Sequence, residues 1–424
     1  MLAFAVKFSR HFKSSTGDLS AHARDYVAGL LSQTQRKNIE RINEKTGTDA
    51  YQNMQYTISE AQWSHGALVA DIAIHANGLI GGHPDTSLAI DESPHSKKGQ
   101  ASVGVARQYN GRLGKTDNCQ VGVYSCLSNQ AAVCPVGMRL YLPECWTNDP
   151  ARLDKAKVPE AHREFKTKID LAEELISEAR AQGVGYQWVG FDEFYGRSRP
   201  FLARLQDAGD VFVGDVPSNT LVSPVAGGDL RKAADVVGDL AWQEVAVRDT
   251  TKGTMMLEAA VCEVSICIDA RKQEFRQWQL LASRPVGGGE IKFSLTNADA
   301  ALGLPRLAYM QRQRFWIERA FEDAKGSCGM SHYQIRGWAG WHHHMALVMV
   351  AMLFLLEERM RQAEELPMLS CPDIVGLLDS YFCIRDDKAL LDQLKERHRQ
   401  RTRDIVNAYR RQREKPRGAS PPGS

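Results

Sequence analysis

Two aspartates and one glutamate stand out by position. Ser87-Leu88-Ala89-Ile90-Asp91 and Tyr186 to Asp192 are short apolar runs that each end on a carboxylate, the pattern of a buried strand whose tip carries a functional group. Each aspartate is followed by a glutamate, Glu92 and Glu193. Neighbouring side chains on a strand point to opposite faces, so only one of each pair can join a shared site. Further on, Arg314, Glu318 and Lys325 are spaced i, i+4 and i+11, which puts all three on one helix face. Roughly 10 Å of helix rise separates Glu318 from Lys325, too far for a simple ion pair. A carboxylate between two cations is what a Mg²⁺ site beside a phosphate backbone needs, with oxygen ligands for the ion and Arg or Lys for the strand. An ordinary solvated helix face has the same spacing, and Glu322 shares that face, so spacing alone does not choose between the two glutamates.

The elements that must hold these groups follow from periodicity. Helices are expected over Arg24 to Asn43 and Tyr51 to Ile58, with a third capped by Ser64 and running to Gly81-Gly82. In the first of them Tyr26, Leu30, Leu31 and Ile39 lie near helical spacing and leave Arg36, Lys37 and Arg41 on the remaining surface. That basic face suits either DNA docking or a solvated helical lid. Strands are expected over Ser87–Asp91, Ala101–Arg107, Cys119–Leu127 and Gln130–Leu142, the last interrupted by Pro135, which marks an edge or a bulge. A helix over Phe165–Gln182, closed by Gly183, leads to the strand Tyr186–Phe191. Val211–Val216, Gln243–Arg248, Met255–Asp269, Phe275–Ala282 and Ile291–Leu295 read as further strands before a helix over Pro305–Lys325. Glu318 lies 126 positions after Asp192, too far for a loop, so folded structure must intervene.

Composition narrows the class. A chain of 424 residues with 43% hydrophobic and 25% charged residues is neither disordered, collagen-like nor coiled coil. Its 53 Lys and Arg nearly cancel 51 Asp and Glu, so any nucleic-acid surface must come from local segregation of charge. One such segregation is the tail from Lys395 to Arg417, with ten Lys/Arg against three Asp/Glu. The nine cysteines form no CxxC pair, which excludes the usual zinc-ribbon and thioredoxin spacings and predicts reduced thiols, Cys262 and Cys267 among them as buried ones. The amino terminus has no signal-type core, and the longest apolar run, the 12 residues Met345–Leu356, is too short to cross a bilayer. A cytoplasmic protein with a buried helix there is expected. His342-His343-His344 cannot converge on one ion from successive helical positions about 100° apart, so packing or backbone contact is their expected role. Trp278 is either a core residue or a ring that stacks on a base.

Three blocks carry a family resemblance: LAIDESPHSKKGQASVGVARQYNGRLGKTDNCQVGV (Leu88–Val123), WVGFDEFYGRSRPFLARL (Trp188–Leu205) and RFWIERAFEDAKGSCGMSHYQIRGWAGWHHHMALVM (Arg314–Met349). Over nearly its whole length the chain resembles the insertion-sequence DDE transposases, most closely the insertion sequence 701 group. The resemblance puts Asp91 and Asp192 on the two catalytic aspartates. It puts Arg314, Glu318 and Lys325 on the R, E and K of the signature Y-x2-R-x3-E-x6-K. The sequence departs from the pattern at Gln311, where the tyrosine belongs, at Glu92-Ser93 in place of an Asp-Thr pair, and at Ser327, where an acidic residue is frequent.

The implied fold is α/β, an RNase H-like catalytic core with a β-rich insertion, an N-terminal helical domain and C-terminal helices. The implied division is 1–84 helical, 85–220 first part of the core, 221–296 insertion, 297–365 glutamate helix, and 366–424 C-terminal helices with the basic tail. The implied activity is metal-dependent cleavage of DNA at element ends and strand transfer into target DNA. Asp91, Asp192 and Glu318 would hold two Mg²⁺ ions, with Mn²⁺ able to substitute. The implied partner is double-stranded DNA, as terminal inverted repeats and target, bound by a homodimer in a bacterial cytoplasm on the nucleoid, with no membrane. Arg314, Lys325, Lys97, Lys98, Arg107, Lys115 and Trp278 are the expected DNA contacts. Two rivals are an RNase H-like nuclease without strand transfer and a non-catalytic DNA-binding protein derived from a transposase.

Overall fold

The apolar run ahead of Asp91 lies inside a ten-stranded sheet in the computed structural model, which describes residues 2–382 and 403 apart from 15–16, 48–50, 112, 226–227, 251–252, 270 and 367–368. In chain order its strands are β1 (Thr86–Ser96), β2 (Ala106–Asn110), β3 (Lys115–Asn129), β4 (Ala132–Leu140), β5 (Trp188–Phe191), β6 (Phe212–Val216), β7 (Gln243–Thr250), β8 (Gly253–Asp269), β9 (Glu274–Pro285) and β10 (Lys292–Thr296). Their spatial order is β7-β8-β9-β10-β6-β5-β1-β3, with β2 and then β4 along the far side of β3. Strands β1, β5 and β6 run parallel, and the other pairings are antiparallel. Leu88, Ala89, Ile90, Val189 and Phe191 are all buried, as expected of parallel strands covered on both faces. The segment between Asp192 and the glutamate helix forms no separate body: β7 to β10 extend the same sheet through the β10–β6 pairing.

The two covers can be told apart residue by residue. Tyr124 of β3 donates to Met345 Sδ and packs edge-on against Phe321. Its neighbour Ser125 faces the other way, since a Cβ on Gly137 would lie 2.5 Å from Ser125 Oγ and 2.8 Å from Leu175. One face therefore meets α8 (Phe315–Gly326) and α9 (Trp338–Arg361), and the other meets α5 (Lys168–Ala181). Helix α5 starts on a capping box, Thr167 with Asp170, and is followed by Gly183 at φ +70°, as a helix closed by glycine should be. Pro135 sits where β4 shifts register against β3, on a strand whose other side is unpaired in the sheet.

Several expectations need correction. The helix over 24–43 is two, α1 (Ser20–Leu30) and α2 (Ile39–Thr46). Arg36 takes φ +55°, and Asn38 restarts the helix by accepting from the Arg41 N–H. Lys37, expected on the surface, is buried and donates to the carbonyls of Leu30 (2.7 Å) and Ser327 (2.5 Å). The strand expected over 101–107 forms only at 106–110. After α6 (Arg199–Asp207), the helix expected over Pro305–Lys325 breaks at Gln313, giving α7 (Gly303–Arg312) and α8. Cys262 and Cys267 are half-buried. The Ile42 side chain of α2 packs directly on the Gly29 backbone of α1: a Cβ on Gly29 would lie 2.3 Å from Ile42 Cγ2. Gly29→Ala should therefore cost about 1–3 kcal/mol by overpacking, read as a lower denaturant midpoint at unchanged slope.

Helix α3 (Tyr51–Ser59) and the Ser64-capped α4 (His65–Ile80) form as expected and pack with α1 around α9. The 24 residues of α9 are long and apolar enough to cross a membrane, but 94% of the most apolar window is buried inside the protein, as in a core helix. Its histidines diverge, each onto a backbone carbonyl. His342 bonds the carbonyl of Trp338 (2.9 Å), His343 those of Ile58 and Trp63 (both 3.0 Å), and His344 that of Met330 (3.3 Å) and the Tyr26 hydroxyl (2.8 Å). His343 and His344 tie the N-terminal helices to the core helix. The basic tail 395–417, apart from residue 403, lies outside the described residues.

Candidate active site

Register places the carboxylates. Ile90 pairs with Phe191, and Phe191 with Gly214. The next residue on each of these three adjacent parallel strands is an aspartate: Asp91, Asp192 and Asp215. Adjacent strands lie about 4.8 Å apart, so the three form one row where the parallel pairing of these strands ends, although β1 itself runs on past Asp91 to Ser96 against β3. Asp91 also pairs with Tyr124 across β1 and β3, which puts it on the α8 face. Glu92 turns to the opposite face, where Lys168 of α5 binds it at 2.8 Å. Glu193 pairs with Arg197. Both following glutamates thus leave the row.

Asp192 is held by the chain just beyond it. Its Oδ1 accepts from the Phe194 N–H (3.0 Å) and the Tyr195 N–H (3.5 Å), capping the turn Glu193–Gly196. Across the row comes Arg314, at the N-cap position of α8. Its guanidinium nitrogens reach Asp91 (3.3 Å), Asp215 (3.5 Å) and Glu318 (2.6 Å). Glu322 does not turn to the row; it is exposed and pairs with Arg319 at 3.4 Å. The structure therefore separates the two glutamates that spacing left equal.

Electrostatics mark the same place. Burial, reinforced by the charge of Asp192, pushes the Asp91 carboxyl up to about 7 against the pull of Arg314. Asp192 is raised as well, by burial first and Glu92 next, again against Arg314. Burial works against the charge of Arg314, yet Asp91, Glu318, Asp215 and Asp192 together hold it above the ordinary arginine value. Carboxylates that raise one another's proton affinity store repulsion that a cation relieves. Among the described residues no three acidic, His or Cys side chains make a ready-made metal cage. The donors nevertheless fit a hard divalent ion: all are carboxylate oxygens, and two are crowded into one row, where burial and then the Asp192 charge raise the Asp91 carboxyl.

The other expected DNA contacts lie elsewhere. Lys325 is half-buried, 5.7 Å from the Phe321 ring centroid, and its charge helps hold His95 neutral after burial has done most of that work. Lys97 lies over the Tyr333 ring at 3.3 Å and donates to the Tyr333 carbonyl at 3.1 Å, and burial lowers it to about 7. Lys98, Arg107 and Lys115 are exposed. Trp278 is 1% exposed, donates to Gln206 and packs edge-on against Phe212; no face is left for a base, so the stacking expectation is corrected to a core role. Gln311, in the signature's tyrosine position, is buried between β9 and β10, accepting from Ser283 and donating to Ser294. Asp215 was not singled out from sequence. Its signal was present, a short apolar run ending on a carboxylate, but the following Val216 made it look like mid-strand.

The family model of the DDE superfamily endonucleases matches residues 8–254, more than half of the chain. A curated relative, the "Probable transposase for insertion sequence element IS701" of Microchaete diplosiphon, is 23% identical over 342 residues, covering 78% of this chain and 82% of the relative. The chain belongs to the DDE superfamily endonucleases.

Proposed function

We propose that the protein is an insertion-sequence transposase that cuts DNA at element ends and joins them to target DNA, using Asp91, Asp192 and Glu318. The observation that carries this reading is the pair Asp91–Asp192 in one row, faced by Glu318 across Arg314. The strand order β4-β3-β1-β5-β6, three antiparallel then two parallel, supports an RNase H-like core for residues 85–220 and 297–365, with 221–296 as its insertion. The N-terminal helices of segment 1–84 and the C-terminal segment 366–424 would serve DNA and partner contacts.

Asp91, Asp192 and Glu318 are the residues that would hold divalent ions, two Mg²⁺ or Mn²⁺ in their place. When bound, such ions lower the pKa of an attacking water or 3′-hydroxyl and stabilise the leaving oxygen of an in-line displacement. The protein's own contribution is placement. The parallel strands fix the two aspartates, the capped turn after Asp192 aims its carboxylate, and Arg314 holds Glu318 toward them while lending positive charge beside a phosphate. No covalent protein–DNA intermediate is needed, and none of the described side chains is assigned as nucleophile.

DNA would be gripped by segregated cations. A cleft of about 720 Å³ between the N-terminal helices and the loop after β1 is lined by Lys97, Lys98 and Arg336, of which Lys98 and Arg336 are exposed. That loop is pinned by Asn118, whose amide donates to the carbonyls of Lys97 and Gly99, and by the Val103–Arg336 backbone bond. Lys98→Gln with Arg336→Gln should weaken end and random-sequence binding alike. It should also flatten the slope of log affinity against log salt by roughly 0.9 for each phosphate no longer neutralised, measured by fluorescence anisotropy. A DNA-bound homodimer in a bacterial cytoplasm, on the nucleoid, completes the reading. Product analysis tests it: purified protein, Mg²⁺, an end-bearing duplex and a plasmid target should give donor strands joined to target. Cut ends without joined strands would leave a nuclease instead.

A further inference from the structure

The row of aspartates holds one member that the proposed reaction does not use. We propose that Asp215 is a positioning residue of the same site, seating the Arg314 guanidinium so that Arg314 can hold Glu318 beside Asp91 and Asp192. The inference rests on the transposase reading and adds to it a residue outside the three carboxylates.

The geometry is specific about which atom does what. Arg314 spends NH1 on Asp91, NH2 on Glu318 and Nε on Asp215. Nε is the guanidinium nitrogen bonded to the side-chain stem, so a partner there sets the plane of the fork and with it the aim of the two terminal nitrogens. Asp215 is itself fixed. Its Oδ1 accepts from Ser294 Oγ at 2.7 Å, and Ser294 Oγ accepts from Gln311 Nε2 at 2.8 Å. Ser294 and Gln311 are buried, which suits a network that must hold one arrangement. Gln311 is the residue that replaces the signature tyrosine, so in this chain that position reaches Arg314 through two hydrogen bonds to Asp215 and then the Asp215–Arg314 ion pair.

The backbone at Asp215 is clamped as well. A Cβ on Gly196 would lie 1.9 Å from the Asp215 carbonyl oxygen, and one on Gly214 would lie 2.2 Å from the Phe191 ring. Gly196 ends the turn that Asp192 caps. The turn that Asp192 caps is thus packed directly against the Asp215 backbone.

The test is a double-mutant cycle on the full-length protein with an end-bearing duplex and Mg²⁺. D215N should lower kcat for cleavage by about 10- to 100-fold, the range for losing an outer orienting partner, with KM and DNA affinity unchanged. In an R314K background, which keeps the charge but not the fork, D215N should change kcat by less than about twofold, because the two residues act through one contact. An unchanged kcat in D215N, or full multiplicative losses in the double variant, would make Asp215 an ordinary structural ion pair and overturn the proposal. If D215N does not fold or R314K is too slow to measure, the ¹⁵N-labelled Arg314 Nε–H resonance decides, compared between wild type and S294A, which keeps every charge. Protection in the wild type that is lost in S294A supports the seat, and an identical resonance in both overturns it. A wild-type protein that does not cut DNA would instead sink the transposase reading, and the resonance would still judge the Arg314 seat.

Discussion

Asp192→Asn should abolish DNA cleavage and leave the protein folded. The amide retains an oxygen for the N–H groups of Phe194 and Tyr195, so the turn keeps its cap; alanine would also lose that cap, at about 1 kcal/mol. What disappears is a charged oxygen donor. At a metal-assisted phosphoryl site that loss should raise the barrier by a few kcal/mol, on the order of a hundred- to thousandfold in rate or more. Stability should move the other way in metal-free protein, because the Asp192 charge is one cause of the raised Asp91 carboxyl. A melting temperature equal to or above wild type, beside a lost cleavage rate on a denaturing gel, is the expected pair of results. Cleavage at the normal rate would show that the row is not the catalytic centre.

The second large effect separates two glutamates one helical turn apart. Glu318→Gln should eliminate cleavage, since Glu318 is the member of α8 drawn toward the row through Arg314. Glu322→Gln should cost little, because among the described residues Glu322 pairs with Arg319 and not with Arg314, an interaction of the surface kind worth about 1 kcal/mol or less. Both variants should bind end DNA like the wild type. A reversed order of effects in the cleavage assay would move the third carboxylate one turn along.

Much of this site was legible because apolar runs and helix faces are local patterns, although the strand expected to end on Asp91 runs on to Ser96. Asp91 and Asp192 announced themselves by the apolar residues before them, and Ser64, Gly183 and Pro135 marked ends and irregularities that the structure repeats. What the sequence withheld is non-local. That Asp215 stands beside Asp192 is a matter of register between strands over 20 positions apart in the chain, which no periodicity reports. The burial of Lys37 likewise depends on carbonyls from Leu30 and from the distant Ser327. Trp278 left a base-stacking role open beside the core one until Gln206 and Phe212 closed over it. The break at Gln313 matters most for function, since it makes Arg314 the start of a new helix and so lets one side chain reach three carboxylates.

The central claim is that Asp91, Asp192 and Glu318 form one cation-dependent cutting centre. The most direct measurement is anomalous scattering from Mn²⁺ in crystals of the protein bound to end-bearing DNA. Density for divalent ions bonded to carboxylate oxygens of Asp91, Asp192 and Glu318, next to the scissile phosphate, is the predicted result. Mn²⁺ sites that avoid these carboxylates while the crystals still cut their DNA would contradict it.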